Sequence, residues 1–350
     1  MNFRLSRSRR TGFFLASRRH KEGGMPPTRS TRLILGALAL SGMLLVIALV
    51  AVEGFPIVVQ ALARARWGIL AVTLIHLSTV LLCAGAWGVL MSSTWRRPLS
   101  SLFLFRWVRE GLNSLLPVAQ VGGVIVQARL LTLRGVAGDL AGASAVVDLT
   151  LEVTALFMFA LLGLGLLAAG GQAQPTTSLA LAVALGFPAI LGFFAVQRFG
   201  FVRLLKRLSE RLARREGRPL RGSLLTLDDA IHALYRNRRR LAASTALHFA
   251  AWLMSAVEIG VLLRFMGQPT GAREAVIVAS LGYAVRGTGF LVPGALGIQE
   301  GGFMLLATLV GVPAPVGLAL SLAHRVRELL LGIPAVLVWQ LIEGRRLWTA

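Results

Sequence analysis

Along this chain, long apolar runs alternate with short stretches rich in basic residues. The runs Leu33–Val52, Gly68–Met91, Leu140–Leu167, Ser178–Val196, Leu241–Phe265 and Val316–Ile342 each approach or exceed the ~20 residues a helix needs to cross a bilayer. Two further apolar stretches are broken in the middle, and in nearly the same way. The first reads Arg109-Glu110-Gly111-Leu112-Asn113-Ser114-Leu115-Leu116-Pro117-Val118-Ala119-Gln120-Val121-Gly122-Gly123. The second reads Arg286-Gly287-Thr288-Gly289-Phe290-Leu291-Val292-Pro293-Gly294-Ala295-Leu296-Gly297-Ile298-Gln299-Glu300-Gly301-Gly302. Each has an Arg before the break, a Pro in an apolar run, then a Gln and a Gly-Gly pair. Pro donates no backbone hydrogen bond and Gly weakens a helix, so both segments are expected to unwind.

The pattern predicts an all-α polytopic membrane protein with about six full transmembrane helices and two re-entrant, broken-helix hairpins near 101–128 and 274–311. Unwound backbone at membrane depth is tolerated only within protein or along a wet cavity. Paired interruptions in the two halves of a membrane protein point to a transport site. With the basic N-terminus on the cytoplasmic side, every basic loop falls on that side, as the positive-inside rule requires. The hairpins then enter from opposite faces, like an inverted repeat. Two full spans in place of each hairpin leave the other loops on the same sides, so charge alone does not separate the two topologies.

Residues 1–32 read as a basic, disordered cytoplasmic tail, 33–344 as one transmembrane domain and 345–350 as a cytoplasmic end. Within the basic loop 197–240, Phe201, Val202, Leu204, Leu205, Leu208 and Leu212 recur at helical spacing opposite Arg203, Lys206, Arg207, Arg211 and Arg214. That is the pattern of a helix lying in the headgroup plane.

Composition adds little that the pattern lacks. Mean hydropathy is +0.71. The net charge of +22 sits in tails and loops flanking apolar spans, which argues for a membrane rather than nucleic acid. The single cysteine, Cys83, excludes an intrachain disulfide. No histidines stand at metal-ligand spacing, and no cofactor is expected.

The candidate chemistry lies in charges within apolar runs, which are costly there and mark functional sites by default. Asp148 and Glu152 share a helix face and need a cationic partner, for which Arg109 and Arg129 are candidates. Glu258 stands alone in its span. Glu300 follows the second break. Arg325 and Glu328 share a face of the last span, with Arg327 between them, and Glu300 is expected to pair with Arg325 or Arg327. The cations would attract a phosphate or another anionic headgroup. The expected substrate path is Arg109, Glu110, Asn113, Pro117, Gln120, Gly122, Gly123, Arg129, Asp148 and Glu152 from the first half, with Arg286, Pro293, Gly294, Gly297, Gln299, Glu300, Arg325, Arg327 and Glu328 from the second.

The second motif, with Ser321-Leu322-Ala323-His324-Arg325-Val326-Arg327-Glu328-Leu329 and Gly332-Ile333-Pro334, resembles the flippase-like membrane domain of lysylphosphatidylglycerol synthases. Asn113-Ser114-Leu115-Leu116-Pro117, Gly122-Gly123 and Arg129 fit the same pattern, and the resemblance covers roughly residues 33–344. It looks closer still to the hopanoid-biosynthesis-associated membrane protein of bacteria. The resemblance implies a multi-pass protein of the bacterial inner membrane that moves a lipid, a hopanoid or a related lipid, between leaflets. In the synthases a separate soluble domain transfers the aminoacyl group. No stretch of that size follows the last span here, so the expectation is transport without enzymatic activity. The implied partners are membrane lipids, hopanoids or anionic phospholipids, and lipid-biosynthesis enzymes. A membrane-embedded lipid-modifying enzyme and a non-catalytic accessory subunit are the alternatives.

Overall fold

The computed structural model describes residues 55–91, 98–115, 122–169, 220–289 and 292–349, with isolated positions before 55. Among them are ten α-helices and no strand. They are α1 (Phe55–Arg64), α2 (Arg66–Met91), α3 (Leu99–Leu115), α4 (Gly122–Thr132), α5 (Gly138–Ala168), α6 (Leu220–Arg236), α7 (Arg238–Phe265), α8 (Ala272–Thr288), α9 (Ile298–Leu309) and α10 (Ala314–Thr349). A 3-10 turn, Pro293–Ala295, lies between α8 and α9.

Helices α2, α5 and α7 are long and apolar enough to cross a membrane. They contain the expected runs Gly68–Met91, Leu140–Leu167 and Leu241–Phe265. The last expected span forms part of α10, which runs unbroken through Pro334 and through the segment 345–349 expected to be a separate end. The runs Leu33–Val52 and Ser178–Val196, the tail 1–32 and the amphipathic stretch 201–214 lie outside the described residues.

Two further helices fall between the expected spans. Residues 55–64, between the first two apolar runs, form α1, whose Val58 and Ala61 bury against the bundle. The loop 197–240 contains α6, and Arg238-Arg239-Arg240 open α7 rather than close a loop. Asn237 marks that boundary by accepting a hydrogen bond from the Arg240 backbone N–H.

Both segments expected to be hairpins contain a pair of packed helices. In the first, α3 and α4 pack on each other across residues 116–121, which contain Pro117 and Gln120 and lie outside the described residues. In the second, Gly294 and Gly297 have φ of 62° and 81°, and Ala295 has φ of 51°, values at which a right-handed helix cannot continue. The outgoing arm of the second, α9 with 12 residues, is about 18 Å long, too short to cross a bilayer core of about 30 Å.

Among the described helices the order is long helix, packed pair, long helix, twice over: α2, α3–α4, α5, then α7, α8–α9, α10. Helices α2 and α7 pack extensively on each other. Helix α10 lies against both α3 and α9. Small residues allow these crossings, as in membrane bundles generally. A Cβ on Gly111 of α3 would lie 3.0 Å from the Gly332 carbonyl of α10, and one on Gly317 of α10 would lie 3.0 Å from the Phe303 carbonyl of α9. Tyr283 meets Phe303 edge-on and tilts against Trp252, fixing α8 between α9 and α7.

Candidate functional site

Each hairpin carries one or two arginines that reach acids on the long helix following it. In the first half, Arg106 and Arg109 are one turn apart on α3 and face Asp148 and Glu152, one turn apart on α5. Arg109 donates to Asp148 Oδ2 at 3.1 Å, to Glu152 Oε2 at 2.7 Å and to Gln127 Oε1 of α4 at 3.0 Å. Arg106 grips Glu152 with both Nη atoms. On the far side of Asp148, His248 of α7 is hydrogen-bonded to Oδ1 at 3.0 Å. The guanidinium fork suits this task, since two arginines here serve several carboxylate and amide oxygens.

In the second half, Arg286 of α8 pairs with Glu328 of α10. Arg325, one turn earlier on α10, donates to Glu300 Oε1 at 2.8 Å and to Glu328 Oε2 at 3.3 Å. Glu300 is buried, and its other oxygen accepts the Gly297 backbone N–H at 2.7 Å. A carboxylate in the first helical turn satisfies a donor that a helix start leaves open and complements the helix dipole. Asn113 has a parallel role across the first break, where its Oδ1 accepts the Gly123 backbone N–H at 3.0 Å. Gln299 donates to Ser321 Oγ at 3.0 Å.

Between the two clusters lies a third. His76 of α2 has Nδ1 at 2.9 Å from Glu258 Oε1 of α7 and Nε2 at 2.5 Å from Glu110 Oε1 of α3. Arg327 of α10 holds the other oxygen of Glu258, and its Nη1 lies 2.9 Å from His76 Nδ1. Thr79 donates to Glu258 Oε1 at 3.3 Å.

The end of α3 abuts the second break. Helix α3 packs against the Pro293–Ala295 turn. A Cβ on Gly294 would lie 3.3 Å from Arg325 Nη1 and 3.7 Å from the Ser114 carbonyl. The end of the first hairpin's incoming arm, the turn of the second hairpin and a guanidinium therefore share one small region.

The chain matches the family described as Lysylphosphatidylglycerol synthase TM region over residues 34–335. It belongs to that family. No curated protein and no solved structure matches it. The family and the long apolar helices make this a membrane protein of a lipid-related family. The match supports the synthase membrane region and nothing narrower, so the hopanoid-associated relative expected from the sequence is without support.

Within this member of the synthase membrane region family, most of the expected residues come together. Arg109 with Asp148 and Glu152, Arg325 with Glu300, and Arg325 with Glu328 pair as the sequence suggested. Arg129 does not join Asp148 or Glu152. It lies on an exposed part of α4 and pairs with Glu343 at 2.8 Å. Arg327 goes to Glu258 rather than Glu300, so Glu258, the lone carboxylate of its span, has its partner on α10. Sequence reasoning missed Arg106, His76, His248 and Gln127 as members of these clusters. Arg106 carried a usable signal, since it stands three residues before Arg109 and so shares its helix face.

Proposed function

We propose that the protein is a lipid translocase of the bacterial inner membrane, with both termini cytoplasmic, and that it moves a lipid headgroup past the junction of its two hairpins while the acyl chains stay in the bilayer. The observation that carries this reading is the meeting of the second break with the end of α3 and a guanidinium, at Gly294, Ser114 and Arg325. Irregular backbone at membrane depth belongs beside a polar path. Arg325 and Arg286 are the groups we assign to an anionic headgroup. Both are already held by carboxylates, so a phosphate would exchange with Glu300 or Glu328 rather than meet an uncompensated cation. Lipids with an anionic headgroup, phosphatidylglycerol among them, suit that exchange. A hopanoid qualifies only if it bears a comparable polar head.

On this reading the chain transports and does not catalyse. The test uses the purified protein in phosphatidylcholine vesicles carrying a trace of headgroup-labelled phosphatidylglycerol. The expected result is faster exchange of label between leaflets than in protein-free vesicles, with the lipid recovered unchanged. Equal rates would overturn the reading. A new lipid species would replace it with the lipid-modifying enzyme.

A further inference from the structure

The three clusters differ in their charge balance. Around α3 and α5, Arg106 and Arg109 face Asp148 and Glu152, two cations against two anions. Around α8 and α10, Arg286 and Arg325 face Glu300 and Glu328, again two against two. In the central cluster Arg327 pairs with Glu258 and His76 bridges Glu258 to Glu110, one arginine against two carboxylates, with Arg106 of the first cluster as a further cation near Glu110. The remaining member is His76. An unbalanced charge at membrane depth is costly, so the centre is neutral only when it carries one additional proton.

Hydrogen-bond geometry adds a second observation. Both ring nitrogens of His76 face a carboxylate oxygen, Nδ1 toward Glu258 and Nε2 toward Glu110. A neutral imidazole has one N–H and one lone pair. The Nδ1–H tautomer points a lone pair at Glu110, and the Nε2–H tautomer points one toward both Glu258 Oε1 and the Arg327 Nη1 donor, each 2.9 Å away. Only with one more proton, on the ring or on a facing carboxyl, are both contacts hydrogen bonds.

The surroundings of His76 are fully charged on some sides and bare on others. Helix α3 presents Glu110, with Arg106 beyond it. Helix α7 presents Glu258, and α10 presents Arg327, with His324 and Glu328 near it. From α8, Tyr283 lies near Arg327 and Glu258. Helix α5 directs Asp148 and Glu152 to the arginines of α3 and to His248 instead. Helix α1 brings no titratable side chain before Arg64. Glu110 is the opening to this buried group, with 37% of its side chain exposed, whereas Glu258 has none.

We propose that His76, held between Glu110 and Glu258, is a proton-binding site through which proton movement is coupled to lipid movement. The coupling rests on the transport reading above; the proton site does not. Glu258 also holds Arg327 and Thr79, while Glu110 is tied to the centre through His76. Loss of the proton therefore releases Glu110 first. Glu110 lies on α3, between Arg109 and the Asn113 that bridges the first break, so its release loosens the first hairpin from α2. The proton enters from one side and leaves to the other, and the step needs no other reactant.

Two measurements test this. Purified protein in detergent is moved between acidic and alkaline buffer, and proton uptake is compared for wild type, His76→Gln and Glu110→Gln, with size-exclusion elution as the check on folding. Wild type is expected to take up about one proton more than His76→Gln, the change a single titrating group makes. Equal uptake overturns the site whatever the lipid does. If His76→Gln fails to fold, the more exposed Glu110→Gln stands in its place.

In the vesicles already described, with the membrane potential clamped and a lumenal pH dye present, an imposed pH gradient is expected to speed labelled phosphatidylglycerol transfer by about 5–150-fold, the range of ordinary coupling free energies. In both variants the ratio of rates with and without the gradient is expected to fall to one. Wild-type transfer indifferent to the gradient, or a variant that keeps the ratio, overturns the coupling. Absence of any transfer instead removes the transport reading and leaves the proton count to stand or fall alone.

Discussion

Arg325 donates its Nε–H to Glu300 Oε1 over 2.8 Å while the other oxygen of Glu300 takes the Gly297 backbone N–H. One carboxylate therefore ties the last helix to the start of the second hairpin's outgoing arm. Removing one partner of a buried pair strands the other, so Glu300→Ala and Arg325→Ala should each cost about 3–5 kcal/mol. The double variant should cost less than their sum, because the two residues share one interaction. Unfolding in detergent, followed for all four proteins, measures this. Strictly additive losses would mean that the two groups do not act on each other.

The first break depends on the absence of a side chain at Gly123. A Cβ there would run into the Arg109 carbonyl and Asn113 Oδ1. Gly123→Ala should therefore displace α4 from α3 and break the Asn113 cap, whereas Asn113→Asp should retain a capping acceptor. The expected signature is a cysteine in α4 that becomes markedly more reactive to a membrane-impermeant thiol reagent in the Gly123→Ala background, measured with Cys83 replaced by Ala. Unchanged reactivity would count against the packing described.

The Gly-Gly pair after the second break looks uniform in sequence and is not so in space. A Cβ on Gly301 would meet nothing within 4 Å, but one on Gly302 would lie 2.7 Å from Val285 Cγ1. Gly301→Ala should stabilise by up to about 1 kcal/mol through reduced backbone freedom. Gly302→Ala should destabilise by forcing α9 away from α8. A pair of melting curves decides it, and a stabilising Gly302→Ala is the result that would fail the argument.

Arg109 and Arg129 offer a further contrast. Arg109 serves Gln127, Asp148 and Glu152 from a buried position. Lysine keeps the charge but not the fork, so Arg109→Lys should cost about 1–3 kcal/mol. Arg129 pairs with Glu343 at the surface, with 45% of its side chain exposed, and Arg129→Lys should change stability by no more than about 1 kcal/mol. Chemical unfolding of the two variants side by side gives the comparison. Equal losses would contradict it.

What the sequence revealed and concealed follows from distance along the chain. The second break was legible because Pro, Gly and the apolar pattern act locally. Asp148 and Glu152 announced a shared cation because one helical turn separates them, and Arg109 was near enough to be named. His76 and Arg327 stand 251 residues apart, and His76 and Glu258 stand 182 apart. No periodicity connects such positions, so a histidine in an apolar run and a lone glutamate looked unrelated. Arg129 misled for the opposite reason: it flanks the break in sequence, yet the length of α4 carries it out to Glu343. Helix α1 lies between the first two apolar runs and was not singled out. Its burial comes from α10, which no local pattern foretells.

Helix α10 supplies Arg325, Arg327 and Glu328, which complete pairs with residues on α9, α7 and α8 and reach His76 on α2. Translation delivers that helix after all its partners. Until it arrives, Glu258, Arg286 and Glu300 lack the partners that α10 supplies. Compensation of these buried charges is therefore a late step in building the fold.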